Sequence, residues 1–209
     1  MFYRPSDGHG LRHNPFNAIV VPRPIAWISS VDAEGRVNLA PFSFFNAVAY
    51  VPPQVMFAAT GPHREGGYKD SLRNIRETGE FVANLATWSL REAVNTTSAP
   101  APHGVDEFEL AGLTKAPARL VRPPLVAESP VCLECVLVQT VALRSPDPDA
   151  PNTAVFGEVV GIHIADDAIV GGRVETPRLE PIARLGYDEY ATLGEVFAMT
   201  RPGWPVEPA

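Results

Sequence analysis

Lysine and cysteine are scarce in this 209-residue chain: Lys69 and Lys115 are its only lysines, Cys132 and Cys135 its only cysteines. Two cysteines cannot build the disulfide framework of a small secreted protein. The N-terminal Met1 to Gly8 holds no apolar signal-peptide core, so the cytoplasm is the expected compartment. Basic side chains number 17 against 24 acidic ones, for a net charge of −7. That balance argues against a nucleic-acid footprint and against attraction to an anionic membrane, and leaves a small molecule as the expected partner. No Gly-x-Gly-x-x-Gly turn, Walker loop or internal repeat occurs, so neither standard nucleotide fold is supported. The longest uncharged run, Val37 to His63, has the length of a membrane span. It is interrupted by Pro41, Asn46, Pro52, Pro53 and Gln54, and an unbroken helix cannot satisfy that backbone in lipid.

What is present suits a globular chain. Apolar residues make up 45% and charged residues 20%, which fits neither disorder nor a coiled coil. The length suggests one domain over 1–209, with an N-terminal arm at 1–16 and a C-terminal tail at 201–209. The 22 prolines favour short strands and turns over long helices.

Alternating apolar positions predict a long strand over Asn17 to Val31, a turn at Asp32–Gly35 and a return strand from Val37 to Ala40. Val55 to Ala59 and Phe81 to Leu85 read as further strands. Between them a compact helix is expected, with Asp70 or Ser71 as N-cap and Gly79 as the left-handed terminator. Ser89 and Glu92 have capping-box spacing, which predicts a second short helix. Val131 to Leu143 and Thr153 to Ala165 form a large hairpin. The expected fold class is therefore mainly β with short helices, an antiparallel barrel rather than a doubly wound sheet.

Ser43, Asn46, Lys69, Asp70 and Ser71 describe an anion pocket, because a helix start offers free N–H groups and a lysine beside it adds charge. The competing reading makes Asp70 or Ser71 a simple cap and Lys69 a solvated charge. The segment Pro22-Arg23-Pro24-Ile25-Ala26-Trp27-Ile28-Ser29-Ser30 has the rigid start, apolar strip and hydroxyls that a flat heteroaromatic ring requires; equally, it reads as a core strand with Trp27 buried. Cys132 and Cys135 should point to opposite faces of their strand and serve structure. The five histidines look scattered, so no metal site is expected. His163 is a weak site candidate, and Glu134 and Glu158 read as solvent-reaching edge positions.

Taken together, residues 22–30, GRVNLAPFSFFN over 35–46, Pro52-Pro53 and Lys69-Asp70-Ser71 with Asn74 closely resemble the flavin reductase-like family, in particular its flavoredoxin-type branch. Thr78 to Val82, Asn84, Glu107-Phe108, Arg184-Leu185-Gly186 and Tyr190 extend the similarity from about residue 15 to 200. The resemblance implies a split β-barrel that binds FMN, usually as a homodimer with the cofactor near the interface. It further implies that Pro24, Ile25, Ala26, Trp27, Ser29 and Ser30 line the isoalloxazine ring, with Arg23 as a further cofactor-binding residue. Ser43, Phe44, Phe45 and Asn46 would meet the ring edge or phosphate, Lys69 with Ser71 would hold the phosphate, and Asp70, Arg184 and Tyr190 would add contacts. No side chain need act as nucleophile or general base, because the cofactor carries the redox chemistry. NAD(P)H-dependent reduction of FMN is the implied activity, with a monooxygenase or electron-transfer protein as a further partner. An electron carrier with tightly held FMN and a non-catalytic binding module are the alternatives.

Overall fold

A computed structural model describes residues 1–204; the remainder of the expected tail, 205–209, lies outside the described residues. The expected long strand over Asn17 to Val31 is not continuous. It is divided into the helix α1 (Phe16–Ile19) and the strands β1 (Arg23–Pro24) and β2 (Ala26–Val31). Pro22 and Pro24 lack the N–H groups that a continuous ladder needs. The Arg23 guanidinium instead donates to the Asn17 and Val20 carbonyls, both at 2.6 Å, which closes the end of α1.

Beyond β2, the Asp32 carboxylate accepts from the Arg36 N–H at 2.8 Å, and Gly35 takes a φ of 83°. This turn leads into β3 (Val37–Phe42), β4 (Phe45–Tyr50) and β5 (Pro53–Thr60). The helix α2 (Asp70–Thr78) ends at Gly79 with φ 76°, as its glycine predicts, and β6 (Glu80–Leu85) follows. The expected side-chain caps are not formed. Lys69 holds the N-cap position of α2, the Asp70 carboxylate is engaged elsewhere, and the Ser71 hydroxyl accepts from Asn38 Nδ2 at 2.8 Å. Likewise α3 (Arg91–Thr96) starts after Leu90 without a side-chain cap, because the Ser89 hydroxyl pairs with that of Thr87.

The helix α4 (Glu107–Leu110) and short strands β7 (Lys115–Ala116) and β8 (Leu125–Val126) precede the large hairpin of β9 (Val131–Leu143) and β10 (Asn152–Ile164). The chain then runs through β11 (Ile169–Val170), β12 (Arg173–Val174), β13 (Ile182–Arg184) and β14 (Tyr190–Thr192).

Seven strands make one antiparallel sheet in the order β3-β2-β6-β9-β10-β5-β4, and β1-β13-β14 form a smaller sheet. Every residue of β2 is buried. Its alternation sends Ala26 and Ile28 into one core with Phe42, Phe57, Phe81 and Leu72, and Trp27 into another with Leu39, Phe108 and Ile182. The result is the mainly β, split-barrel class expected from the sequence. Among the described residues no helix is long and apolar enough to cross a membrane.

Cys132 and Cys135 are both free and buried, and they pack in different apolar clusters, as expected for opposite faces. Burial pushes their thiols up to about 11 and about 12. Glu134 departs from expectation, since it does not reach solvent. Its side chain accepts the N–H groups of Arg119, Leu120 and Val121 at 2.6–3.2 Å and meets His163 Nε2 at 2.5 Å. Four donors compensate a carboxylate buried to 0% exposure.

Candidate functional site

Two clefts meet at the start of α2. The larger, about 660 Å³, is walled by Arg23, Ser43, Phe44, Lys69, Arg184 and Tyr190, all of them expected site residues. The narrower, about 170 Å³, is walled by Lys69, Asp70, Ser71, His63, Asn38 and Glu107. Lys69 lines both. It is half-buried, burial lowers its ammonium below the ordinary lysine range, and among the described residues its Nζ has no hydrogen-bond or ion-pair partner. The N–H groups of Asp70, Ser71 and Leu72 begin α2 beside it, likewise without acceptors among the described residues. A desolvated cation next to open helix N–H groups is chemistry for an anion.

Arg23 is only 7% exposed and donates to the Leu185 carbonyl at 2.7 Å as well as to the end of α1. Its Nε is buried with no partner among the described residues. Burial first, and then the charge of Arg184, lowers the Arg23 guanidinium. Its carbon centre lies 5.7 Å from the Phe44 ring, and the Arg184 guanidinium stands 4.6 Å from the Tyr190 ring. The cleft thus offers aromatic and apolar walls and cationic groups. Those features fit a planar ring system with an anionic tail.

The remaining expected residues are placed differently. Ile25 lines the larger cleft while remaining 5% exposed. Ala26, Trp27, Ser29 and Ser30 are 0–1% exposed, and their side chains line neither cleft. Trp27 Nε1 donates to Thr97 at 2.8 Å, the Ser29 hydroxyl donates to the Pro124 carbonyl at 2.5 Å, and that of Ser30 accepts from Asn74 at 3.2 Å. The core-strand reading of this segment is therefore the one that the side chains follow, since both faces of β2 are covered. Pro24 is exposed in β1, Phe45 packs against the core, and Asn46 is exposed with its amide oxygen on the Ala47 N–H.

The histidines are not all scattered. His63 and His103 stack with ring centroids 3.6 Å apart, and with Asp70 they place three ligating atoms within 4.8 Å. Hydrogen bonds account for the cluster. His63 Nδ1 accepts the Glu65 N–H at 3.1 Å, its Nε2 faces the Ala101 carbonyl at 3.1 Å, and His103 Nδ1 meets Asp70 Oδ1 at 2.6 Å. Arg73 adds a 2.6 Å ion pair to Asp70. The group works as a clamp holding two loops over the start of α2. Sequence reading also passed over His13, Asn17, Thr60 and Ser98 in the larger cleft. They come from the arm, α1, β5 and the segment after α3, and no local pattern marks them.

A family profile described as Flavin reductase like domain matches residues 18–176. The chain belongs to this family. Its relative BH2278 of Halalkalibacterium halodurans is 38% identical over 183 residues, 88% of this chain and 87% of that protein. Among solved structures, nitrilotriacetate monooxygenase component B from Bacillus cereus is 34% identical, with a TM-score of 0.88 over 95% of this chain and 98% of that one. A protein with a split barrel domain from Shewanella frigidimarina, 24% identical, has the same fold, with a TM-score of 0.78 over 89% of each chain. In this flavin reductase-like chain, the matched region contains Arg23, Ser43, Phe44 and Lys69, while Arg184 and Tyr190 follow it. A flavin-related redox role comes with the membership.

Proposed function

We propose that the protein binds FMN in the larger cleft and acts as an NAD(P)H-dependent flavin reductase. The observation that carries this reading is Lys69, a half-buried ammonium without a partner among the described residues, at the start of α2 in the wall of both clefts. The phosphate would lie against it and the open N–H groups of the first turn. Ser43 would add a hydroxyl and Phe44 an apolar wall, and the Arg184–Tyr190 stack would close the far side. FMN, when bound, supplies the capacity to accept a hydride. The chain's part is to position it and to hold cationic groups near the negative charge that reduction adds.

A homodimer is part of the proposal. Helices α2 and α4 pack on β2 and β3, whereas Val141 and Leu143 of β9 stand exposed at 39% and 43%. In the ladder Val141 pairs through Ala154 with Ala58, and Leu143 through Asn152 with Thr60. Ala58 and Thr60 line the larger cleft, so this apolar face runs directly into it. A second copy covering the face would also complete the cleft. The Bacillus cereus neighbour is a monooxygenase component, which supports a monooxygenase as the user of reduced flavin.

The deciding experiment mixes the purified protein anaerobically with NADH or NADPH and FMN, following absorbance. Oxidation of either nicotinamide is the expected result. A tight yellow complex that ignores both would make the protein an electron carrier, and failure to quench added FMN fluorescence would leave only a binding module for another ligand.

A further inference from the structure

A second groove, about 590 Å³, lies between α3 and β14, lined by Trp88, Arg91, Asn95, Ile182, Tyr190 and Thr192. Tyr190 and Asn95 belong equally to the wall of the larger cleft, so the two spaces are contiguous. Trp88 is 50% exposed, a large aromatic surface left open to water. The Arg91 guanidinium lies 4.0 Å from its ring. Glu92 also borders the groove, but it is paired with Arg91 at 3.5 Å and is 83% exposed, so it leaves no buried negative charge there.

The groove also has an open backbone edge. Among the described residues β14 pairs only with β13, at the margin of the small sheet. Leu185 N–H donates to the Glu189 carbonyl at 3.0 Å, whereas Ile182 N–H turns away to the Ala86 carbonyl at 3.0 Å. Antiparallel ladders alternate bonded and non-bonded pairs. This phase makes Arg184↔Tyr190 and Ile182↔Thr192 the non-bonded pairs, with the N–H and C=O of Tyr190 and Thr192 directed outward from the edge. Those groups have no partner among the described residues. An adjacent donor and acceptor beside an exposed indole is what a purine base requires, since it stacks by its face and hydrogen-bonds along its edge.

We infer that this groove is a subsite for the adenine ring of a dinucleotide whose other half lies in the larger cleft. The inference rests on the flavin reading above. Trp88 stacks the base, the outward edge of β14 pairs with its polar rim, and Arg184, stacked on Tyr190 at the junction, stands beside the connecting phosphates. Two ligands bring that adenosine group: FAD in place of FMN, or the nicotinamide dinucleotide bound beside FMN.

Calorimetry with FMN, with FAD, and with NAD+ and NADP+ on the FMN-loaded protein tests this in the wild type, Trp88→Ala and Trp88→Phe. The expected result is unchanged FMN affinity in all three proteins. One class of dinucleotide should weaken about tenfold in Trp88→Ala, as loss of one base stack requires, and recover in Trp88→Phe. Weakening of FAD identifies one source, and weakening of NAD+ or NADP+ the other. Normal FMN binding with no dinucleotide affected, or none bound, overturns the subsite and leaves the flavin reading standing. A Trp88→Ala effect confined to the sedimentation coefficient assigns the groove to a second copy of the chain and overturns it as well. Failure of the wild type to bind FMN overturns both readings.

Discussion

Glu134 and His163 face each other across the β9–β10 ladder with 2.5 Å between Oε1 and Nε2, and the same carboxylate holds the N–H groups of residues 119–121. Burial pushes the Glu134 carboxyl up, but His163 and the backbone donors outweigh it and hold it below the usual carboxylate range. Because the folded form binds this proton more weakly than the unfolded chain, its stabilisation is present above the ordinary carboxylate range and is lost as pH falls through the lowered value. Glu134→Ala is expected to cost about 3 kcal/mol at neutral pH, since it leaves several buried donors unpaired. Urea unfolding at pH 7 and pH 3 measures this. The gap between variant and wild type should narrow at the lower pH, and a constant gap would remove the ionised carboxylate from the explanation.

Lys69→Ala should weaken FMN binding by about 1.5 to 3 kcal/mol, the worth of a charge-assisted hydrogen bond, and leave the unfolding temperature unchanged. Fluorescence titration of FMN checks it. Equal affinities would place Lys69 outside the phosphate site.

Arg23 donates to the carbonyls of Asn17, Val20 and Leu185, joining segments up to 162 residues apart. Arg23→Lys keeps the charge but loses the planar fork, so a loss of about 2 kcal/mol is expected. Proteolysis within residues 1–20 should accelerate with it. Unchanged cleavage would mean that the arm is held by other contacts.

At Gly157 an added Cβ would fall 2.4 Å from Cζ of Phe81 in the core. Gly157→Ala is therefore expected to destabilise the fold by about 2 kcal/mol, the scale of overpacking. The urea midpoint reads this directly, and an unchanged midpoint would show that the Phe81 ring shifts freely.

Cys132 and Cys135 should resist a thiol-specific reagent at pH 8 in the native protein, because burial raises them to about 11 and about 12. Both should react at once in urea. Rapid native labelling would require an opening of the β9 region.

The sequence by itself determined the elements whose signals are local. The β2–β3 hairpin, the end of α2 at Gly79 and the β9–β10 hairpin follow from a two-residue alternation, a glycine with positive φ and proline-rich turns. Part of the candidate site was legible in the same way, since Ser43 and Lys69 lie within a few residues of such signals, while Phe44 came only with the family resemblance. Tertiary structure alone decided the rest. It covered both faces of β2, which took Trp27, Ser29 and Ser30 away from the clefts. It stacked His63 on His103 and turned Glu134 into a buried acceptor. These outcomes depend on groups 13 to 162 residues apart in the chain meeting in space, and the cost of burying a polar group is settled by whichever partner the fold delivers, which no local pattern encodes.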